Sequence, residues 1–233
     1  MKVTFLGTGT SQGIPVIACE CEVCTSDDTR DNRLRVSVLI EESGKNIVID
    51  AGPDFRYQML RAKVKHLDAI LFTHEHKDHI AGLDDVRAFN FKHHKDMDVY
   101  GLPRVLEALK REFHYAFAEH QYPGIPRIKL HKIDHKPFIV YGLEVIPIDV
   151  MHYKLPVLGF RIGGSSYVTD AKTISEEEKQ KIQGSEVLVL NALQKEKHIS
   201  HFTLEEAVTL AQEIGARKTY LTHISHRMGK HSD

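Results

Sequence analysis

His74, His76, Asp78 and His79, four side chains read here as metal donors, fall within the six positions His74-Glu75-His76-Lys77-Asp78-His79. The apolar run Ala69 to Phe72 in front of them predicts a buried strand that ends at Thr73. In an extended turn, imidazoles at i and i+2 can lie on one side, so His74 and His76 can share one metal. Asp78 and His79, at the entrance to the next helix, can face a second. One histidine is ordinarily a core or surface residue; four donor side chains packed behind a strand point to a metal centre.

Further donors stand at the ends of other predicted strands: His152, Asp170 and His223. Loops at one edge of a sheet assembly can converge, which lets a scaffold build a site from distant segments. On this reading His74, His76 and His152 hold one metal, Asp78, His79 and His223 hold another, and Asp170 bridges. All are nitrogen or oxygen donors, which suits two catalytic Zn²⁺, Mn²⁺ or Fe²⁺ ions. Two such metals about 3.5–4 Å apart share a hydroxide, lower its pKa and clamp both sides of a displacement. The chemistry indicated is hydrolysis.

Cys19-Glu20-Cys21-Glu22-Val23-Cys24 gathers all three cysteines of the chain. The residues alone leave two readings open: three free thiols, or a structural zinc that needs a fourth ligand. An odd, crowded set does not make a disulfide framework and suits a reducing compartment. The glycine-rich Gly7-Thr8-Gly9-Thr10-Ser11-Gln12-Gly13 lacks the Gly-Lys-Ser/Thr ending of a phosphate-binding loop, and reads as a tight turn.

The elements that must position these residues are mostly strands. They are predicted over 2–6, 35–40, 46–49, 69–72, 98–101, 128–133, 138–140, 143–150, 157–162, 166–169, 187–190 and 218–221. Asp54 is expected to cap a helix running through Gln58 to Ala62, and Asp50 to serve the metal loop as a carboxylate acceptor or to cap the turn. Pro103 opens a helix to about Phe113. A capping box is expected at Ser175–Glu178, and Thr203-Leu204-Glu205-Glu206 is expected to cap a helix to Ile214. Two runs of strands followed by helices indicate two stacked sheets with helices outside, in one domain over 1–233.

Composition excludes several classes. The 233 residues are 42% hydrophobic and 27% charged with a net charge of −1, so no electrostatic pull toward nucleic acid or membrane is expected. Met1-Lys2-Val3-Thr4-Phe5 enters a strand directly, without a signal peptide, and no apolar run is long enough to span a bilayer. A cytoplasmic protein is expected.

His74-x-His76-x-Asp78-His79, with His152, Asp170 and His223 following in order, resembles the metallo-β-lactamase superfamily from Lys2 to His226. The resemblance implies an α/β fold, a four-layer αββα sandwich. The best-known zinc β-lactamases carry cysteine where Asp170 stands, which disfavours antibiotic hydrolysis. Phe5-Leu6-Gly7-Thr8-Gly9-Thr10-Ser11 followed by Cys19-x-Cys21-x-x-Cys24 resembles the phosphoribosyl cyclic-phosphate phosphodiesterase and coenzyme-PQQ biosynthesis B branch, and more loosely the tRNA 3′-processing endonucleases. In the phosphodiesterase the cysteine trio is joined by a histidine three residues after the last catalytic ligand; here that is His226, which implies one structural Zn²⁺ on Cys19, Cys21, Cys24 and His226. His201-Phe202-Thr203 resembles the His-Ser-Thr segment of that branch, implying that His201, ahead of its rival His198, stabilises the transition state or protonates the leaving oxygen beside Asp78 and the metals.

The resemblance therefore implies a metal-dependent phosphodiesterase acting on a small or cyclic phosphate ester, with a homodimer expected and nucleic acid not. The alternatives are a thioesterase or lactonase of the same fold, or a non-catalytic metal-binding protein like the PQQ group. The missing Gly/Pro-rich arm and basic surplus disfavour the tRNA-processing activity. The ten residues after His223 leave no room for a glutathione-binding helical domain, and the short tail after His226 creates the expectation of a closing segment beyond it. Arg56, Asp85, Arg87, His120 and Tyr153 are the pocket candidates.

Overall fold

In the computed structural model, which describes residues 1–119 and 122–233, the chain forms two compact units, both discontinuous in sequence. The first comprises Met1–Gly7 and Val36–Asp134, the second Thr8–Arg35 and His135–Asp233.

The first unit contains β1 (Lys2–Gly7), β2 (Ser37–Glu42), β3 (Lys45–Ile49), α1 (Phe55–Arg61), β4 (Ala69–Leu71), α2 (Lys77–Ile80), α3 (Arg87–His93), β5 (Met97–Gly101), α4 (Pro103–Glu112) and β6 (Ile128–Lys132). Among the described residues its strands make one six-stranded sheet in sequence order, antiparallel from β1 to β3 and parallel from β3 to β6. The β2–β3 hairpin turns on Ser43 (φ 49°) and Gly44 (φ 74°), the double positive-φ turn whose twist matches that of its strands. In β4 all three residues are buried, as a parallel strand requires, and Phe72 continues the run with its N–H on Tyr100 O at 2.9 Å. Pro103 stands in the first turn of α4, where its missing N–H costs nothing, and Val105, Leu106, Ala108 and Leu109 form the buried face.

The second unit contains β7 (Phe138–Val140), β8 (Leu143–His152), β9 (Leu155–Ile162), β10 (Ser165–Val168), β11 (Thr173–Ile174), α5 (Glu176–Ile182), β12 (Val187–Asn191), α6 (Leu204–Ile214) and β13 (Lys218–Thr222). Its sheet runs β11-β8-β9-β10-β12-β13, with β7 on β8; β10, β12 and β13 are parallel and the rest antiparallel. Ile148, Val150, Val168, Leu188 and Leu190 from the sheet pack with Ile182 of α5 and Ala207 and Leu210 of α6.

Helix caps divide the predictions. Thr203 accepts Glu206 N–H at 3.2 Å and the Glu206 carboxylate accepts Thr203 N–H at 2.8 Å, a complete capping box. Ser175 accepts Glu178 N–H at 3.3 Å, but the Glu178 carboxylate instead takes Asp149 N–H at 2.7 Å and Lys181. The box expected there is therefore half made, because the neighbouring strand outcompetes the cap for the carboxylate. Asp54 makes no cap either: it is already helical (φ −87°, ψ 0°), and α1 begins at Phe55. No helix among the described residues is long and apolar enough to cross a membrane.

Candidate metal centres

In the first unit the donors are set by two parallel strands. Asp50 N–H on Leu71 O at 2.9 Å continues the β3–β4 pairing past the strand ends, so Asp50 and Thr73 emerge side by side. Asp50 is fully buried and adopts φ 64°, a left-handed conformation costing about 1–2 kcal/mol. Its carboxylate accepts Thr73 N–H at 2.9 Å, Thr73 Oγ1–H at 2.9–3.1 Å and His79 Nδ1–H at 2.7 Å. Thr73 Oγ1 in turn accepts His74 Nδ1–H at 3.0 Å. One carboxylate thus orients two imidazoles, one directly and one through a hydroxyl. With Nδ1 committed, Nε2 is the nitrogen each ring presents to a metal, the arrangement that raises ligand basicity. Burial pushes the Asp50 carboxyl up, and His79 and Thr73 pull it back.

Asp78 and His79 lie in the single turn α2, with His79 Nε2 3.2 Å from Asp78 Oδ2. The His74 ring is 4.5 Å from that of His76 and 4.1 Å from that of His79. The loop is pinned from below by Ala51 N–H on His79 O (2.8 Å) and Gly82 N–H on Ala51 O (2.9 Å). This close approach requires Gly52, where a Cβ would stand 1.9 Å from Asp78 O, and Gly82, where it would stand 2.0 Å from Gly52 O.

The second unit assembles its donors from four segments. His152 ends β8 and its Nδ1–H donates to Ser200 O at 3.0 Å. Asp170 follows β10 and His223 follows β13, both with positive φ (57° and 56°). Asp170 Oδ1 lies 3.2 Å from His201 Nε2 and 3.1 Å from His223 Nε2, and Oδ2 accepts Thr169 Oγ1–H at 2.7 Å. The Asn191 amide brackets the next residue, bonding both Ala171 N–H (2.8 Å) and Ala171 O (2.9 Å), which holds the Asp170 turn in place. The His201 ring stacks on His223 at 4.7 Å and meets His152 edge-on at 4.6 Å. His152, Asp170 and His201 offer ligand atoms all within 4.8 Å of one another. Burial pushes the His201 imidazole down to about 4, against the pull of Asp170. His198 is half-buried behind it, with Nδ1 3.3 Å from His201 Nδ1 and Ser200 Oγ 3.0 Å from that same atom.

Also in the second unit, Cys19, Cys21 and Cys24 place Sγ 3.2, 3.4 and 3.5 Å from His226 Nδ1. Ligands at the usual zinc distances, Zn–S near 2.3 Å and Zn–N near 2.0 Å, make a tetrahedral edge of about 3.5 Å. The three separations therefore fit a closed Cys₃His zinc site, and no disulfide forms. Cys24 N–H holds the Cys21 thiol down at about 6, toward the thiolate a metal needs. The site joins the Cys19–Cys24 loop to the C-terminal segment, as do Ile224 N–H on Thr8 O (2.8 Å), Thr10 N–H on Ile224 O (3.0 Å) and His231 N–H on Asp31 Oδ1 (2.6 Å). The imidazole and carboxylate sets likewise fit divalent ions: their donors are nitrogen and oxygen alone, and the rings of His74, His79 and His152 are oriented through Nδ1.

The pocket candidates do not stay together. Arg56 and Asp85 line one cavity of the first unit, whereas Arg87 pairs with Asp84 at 3.1 Å on the surface. Tyr153 is exposed on the β8–β9 turn with Lys154 Nζ 5.3 Å from its ring centre, and His120 lies outside the described residues. Thr73, Ser200, Gly52 and Gly82 are the functional positions that sequence reasoning missed. A polar residue between a buried strand and a histidine was the available signal for Thr73; nothing local marks the glycines.

A family model described as "Beta-lactamase superfamily domain" matches residues 45–224, and the chain belongs to that superfamily, with its metallo-β-lactamase fold and hydrolase character. It is similar to a crystal structure of a diphosphatase from the PhnP family, at 38% identity and TM-score 0.92 over 99% of this chain and 88% of the other. Zn²⁺-bound PqqB from Methylobacterium extorquens shares the fold at 19% identity and TM-score 0.78, over 97% of this chain and 89% of the other. Among curated sequences, an octanoyltransferase of Porphyromonas gingivalis is 41% identical over 236 residues, 100% of this chain and 48% of that protein. A ribonuclease Z of Nostoc punctiforme is 26% identical over 172 residues, 70% of this chain and 46% of that protein. The chain spans about half the length of the curated relatives it matches.

Proposed function

We propose that the chain is a dinuclear-metal phosphodiesterase acting on a small or cyclic phosphate ester. His74, His76 and His152 hold one divalent ion, Asp78, His79 and His223 the other, and Asp170 is shared. The carrying observation is that the donors are imidazole and carboxylate alone, with His74 and His79 pre-oriented by one buried Asp50. A pair of Zn²⁺ or Mn²⁺ ions on such donors supplies water activation and neutralises charge on phosphoryl oxygens.

The chain's own residues do the rest. Asp50 and Thr73 keep Nε2 of His74 and His79 directed at the metals, and the Ser200 carbonyl does the same for His152. His201, buried against Asp170 and held neutral by that burial, donates a hydrogen bond to the transferring phosphoryl group; it hands a proton to the leaving oxygen only if the anionic substrate raises it into the protonated form. Cys19, Cys21, Cys24 and His226 hold a structural zinc. The 38% identical diphosphatase supports a phosphorus-centred reaction and brings the diphosphate bond into the substrate class. The octanoyl transfer of the Porphyromonas protein supports no rival reading, because over half of that protein lies outside the match. The balanced net charge of −1 favours a small substrate over RNA. The resemblance supports a homodimer, and the cysteine cluster a reducing, cytoplasmic setting.

The test is a hydrolysis screen of the Mn²⁺- and Zn²⁺-loaded chain with an aryl phosphodiester, a ribose cyclic phosphate, a nucleoside diphosphate derivative, lactoylglutathione and a β-lactam. A phosphorus substrate should turn over fastest. Faster turnover of the thioester or the β-lactam would overturn the proposal.

A further inference from the structure

A cavity of about 300 Å³ opens in the first unit between α1, the Val64–Lys65 segment and α3, and none of the candidate metal ligands lines it. That size is at the lower end of small-molecule pockets. Its apolar wall includes Phe55, Met59, Val64 and Phe89, the first two buried in the core. Arg56, Lys65 and Lys92 stand around it against one acidic residue, Asp85. Burial and the neighbouring Asp84 push the Asp85 carboxyl up, with Arg87 and Arg56 pulling it back, so the three cations of the lining outnumber its one carboxylate. Lys92 Nζ donates to Lys65 O at 3.0 Å, and His93 Nε2 meets the same oxygen at 2.9 Å, so α3 is tied to the segment that closes one side.

The lining is selective by what it omits. Among the described residues it holds no hydroxyl and no side-chain amide. A nucleobase or a sugar would find only the charged groups of Arg56, Lys65, Lys92 and Asp85 as side-chain partners, and none along the wall of Phe55, Met59, Val64 and Phe89. A hydrocarbon tail needs none there and gains by leaving water. The lysines then require an anionic head. We propose that this cavity binds a medium-chain amphiphilic anion, its tail against Phe55, Met59 and Phe89 and its carboxylate or phosphate at Lys65 and Lys92. The site stands apart from the proposed metal chemistry, since no candidate metal ligand lines it; it takes over Arg56 and Asp85, which the sequence had offered as substrate-pocket residues.

Isothermal titration and amide chemical-shift mapping of the full chain with decanoate, decyl phosphate and decanol test this. Decanoate or decyl phosphate should saturate the site with Kd of about 10⁻⁴ M, and decanol should bind at least about tenfold more weakly. Comparing the two anions shows which head the lysines prefer. Ala88→Phe, which fills the cavity from an exposed position, and the charge reversal Lys65→Glu with Lys92→Glu should each weaken the anion at least about tenfold while circular dichroism stays unchanged. If Ala88→Phe fails to fold, the surface charge reversal carries the test alone. Decanol binding as tightly as decanoate, unchanged affinity in the folded variants, or no saturable response up to about 5 mM would each overturn the proposal.

Discussion

The His74–His79 cluster and the Cys19–Cys24/His226 cluster hold donors at similar separations by opposite means. In the first, buried rings are aimed by outer hydrogen bonds, with Asp50 and Thr73 committing Nδ1 of His79 and His74. In the second, half-buried thiols converge on one imidazole nitrogen at 3.2–3.5 Å, the edges of a closed tetrahedron. A closed four-donor set can only stabilise, whereas oriented nitrogens backed by a carboxylate can tune a reactive metal. The difference separates a fastening from a candidate reaction centre.

Breaking the reaction centre should give the largest effect. Asp170→Ala removes the carboxylate between His201 and His223, and turnover should fall at least about 10³-fold with the Tm nearly unchanged. Near-wild-type rates would defeat the shared-ligand role. Breaking the fastening should do the reverse. Cys21→Ser, or a chelator, removes a metal worth about 4 kcal/mol at a thousandfold excess over its Kd, or about 8–16 °C in Tm. A metal count near two per wild-type chain, with freely titratable thiols, would eliminate that zinc.

Gly52→Ala sharpens the contrast from beneath. Its Cβ would fall 1.9 Å from a backbone oxygen of the metal loop, so a destabilisation of about 3–5 kcal/mol is expected in urea melts. Asp50→Asn preserves shape but weakens the acceptor for His79, and titration should find catalytic metal bound about 10–100-fold more weakly. Unaltered affinity would reduce Asp50 to a turn residue. Ser175→Ala, a residue of neither cluster, is the control: a one-sided cap should cost about 0.5–1 kcal/mol and leave turnover intact.

What was legible in the sequence was local. The strand before His74, the Thr203 cap and the helix opened by Pro103 are each decided by a few neighbours, and each stands in the structure as read. Ser175 and Asp54 show where local rules stop, since a passing strand claimed the Glu178 carboxylate and Asp54 stands at the expected N-cap position of α1 without making the side-chain bond. His226 was found through resemblance alone, because no spacing rule links a cysteine loop to a residue about two hundred positions away.

The sequence by itself determined which chemistry was available: imidazoles, carboxylates and thiols in numbers and spacings that suit metal donors. Only the tertiary structure decided how those donors are aimed. Asp50, Asp170 and His223 all sit at positive φ, a strained state that no single residue type announces. Gly52 and Gly82 are needed only because two backbones cross there. Orientation of a ring depends on the acceptor at its far nitrogen, and that acceptor arrives from another strand, turn or loop once the chain has folded.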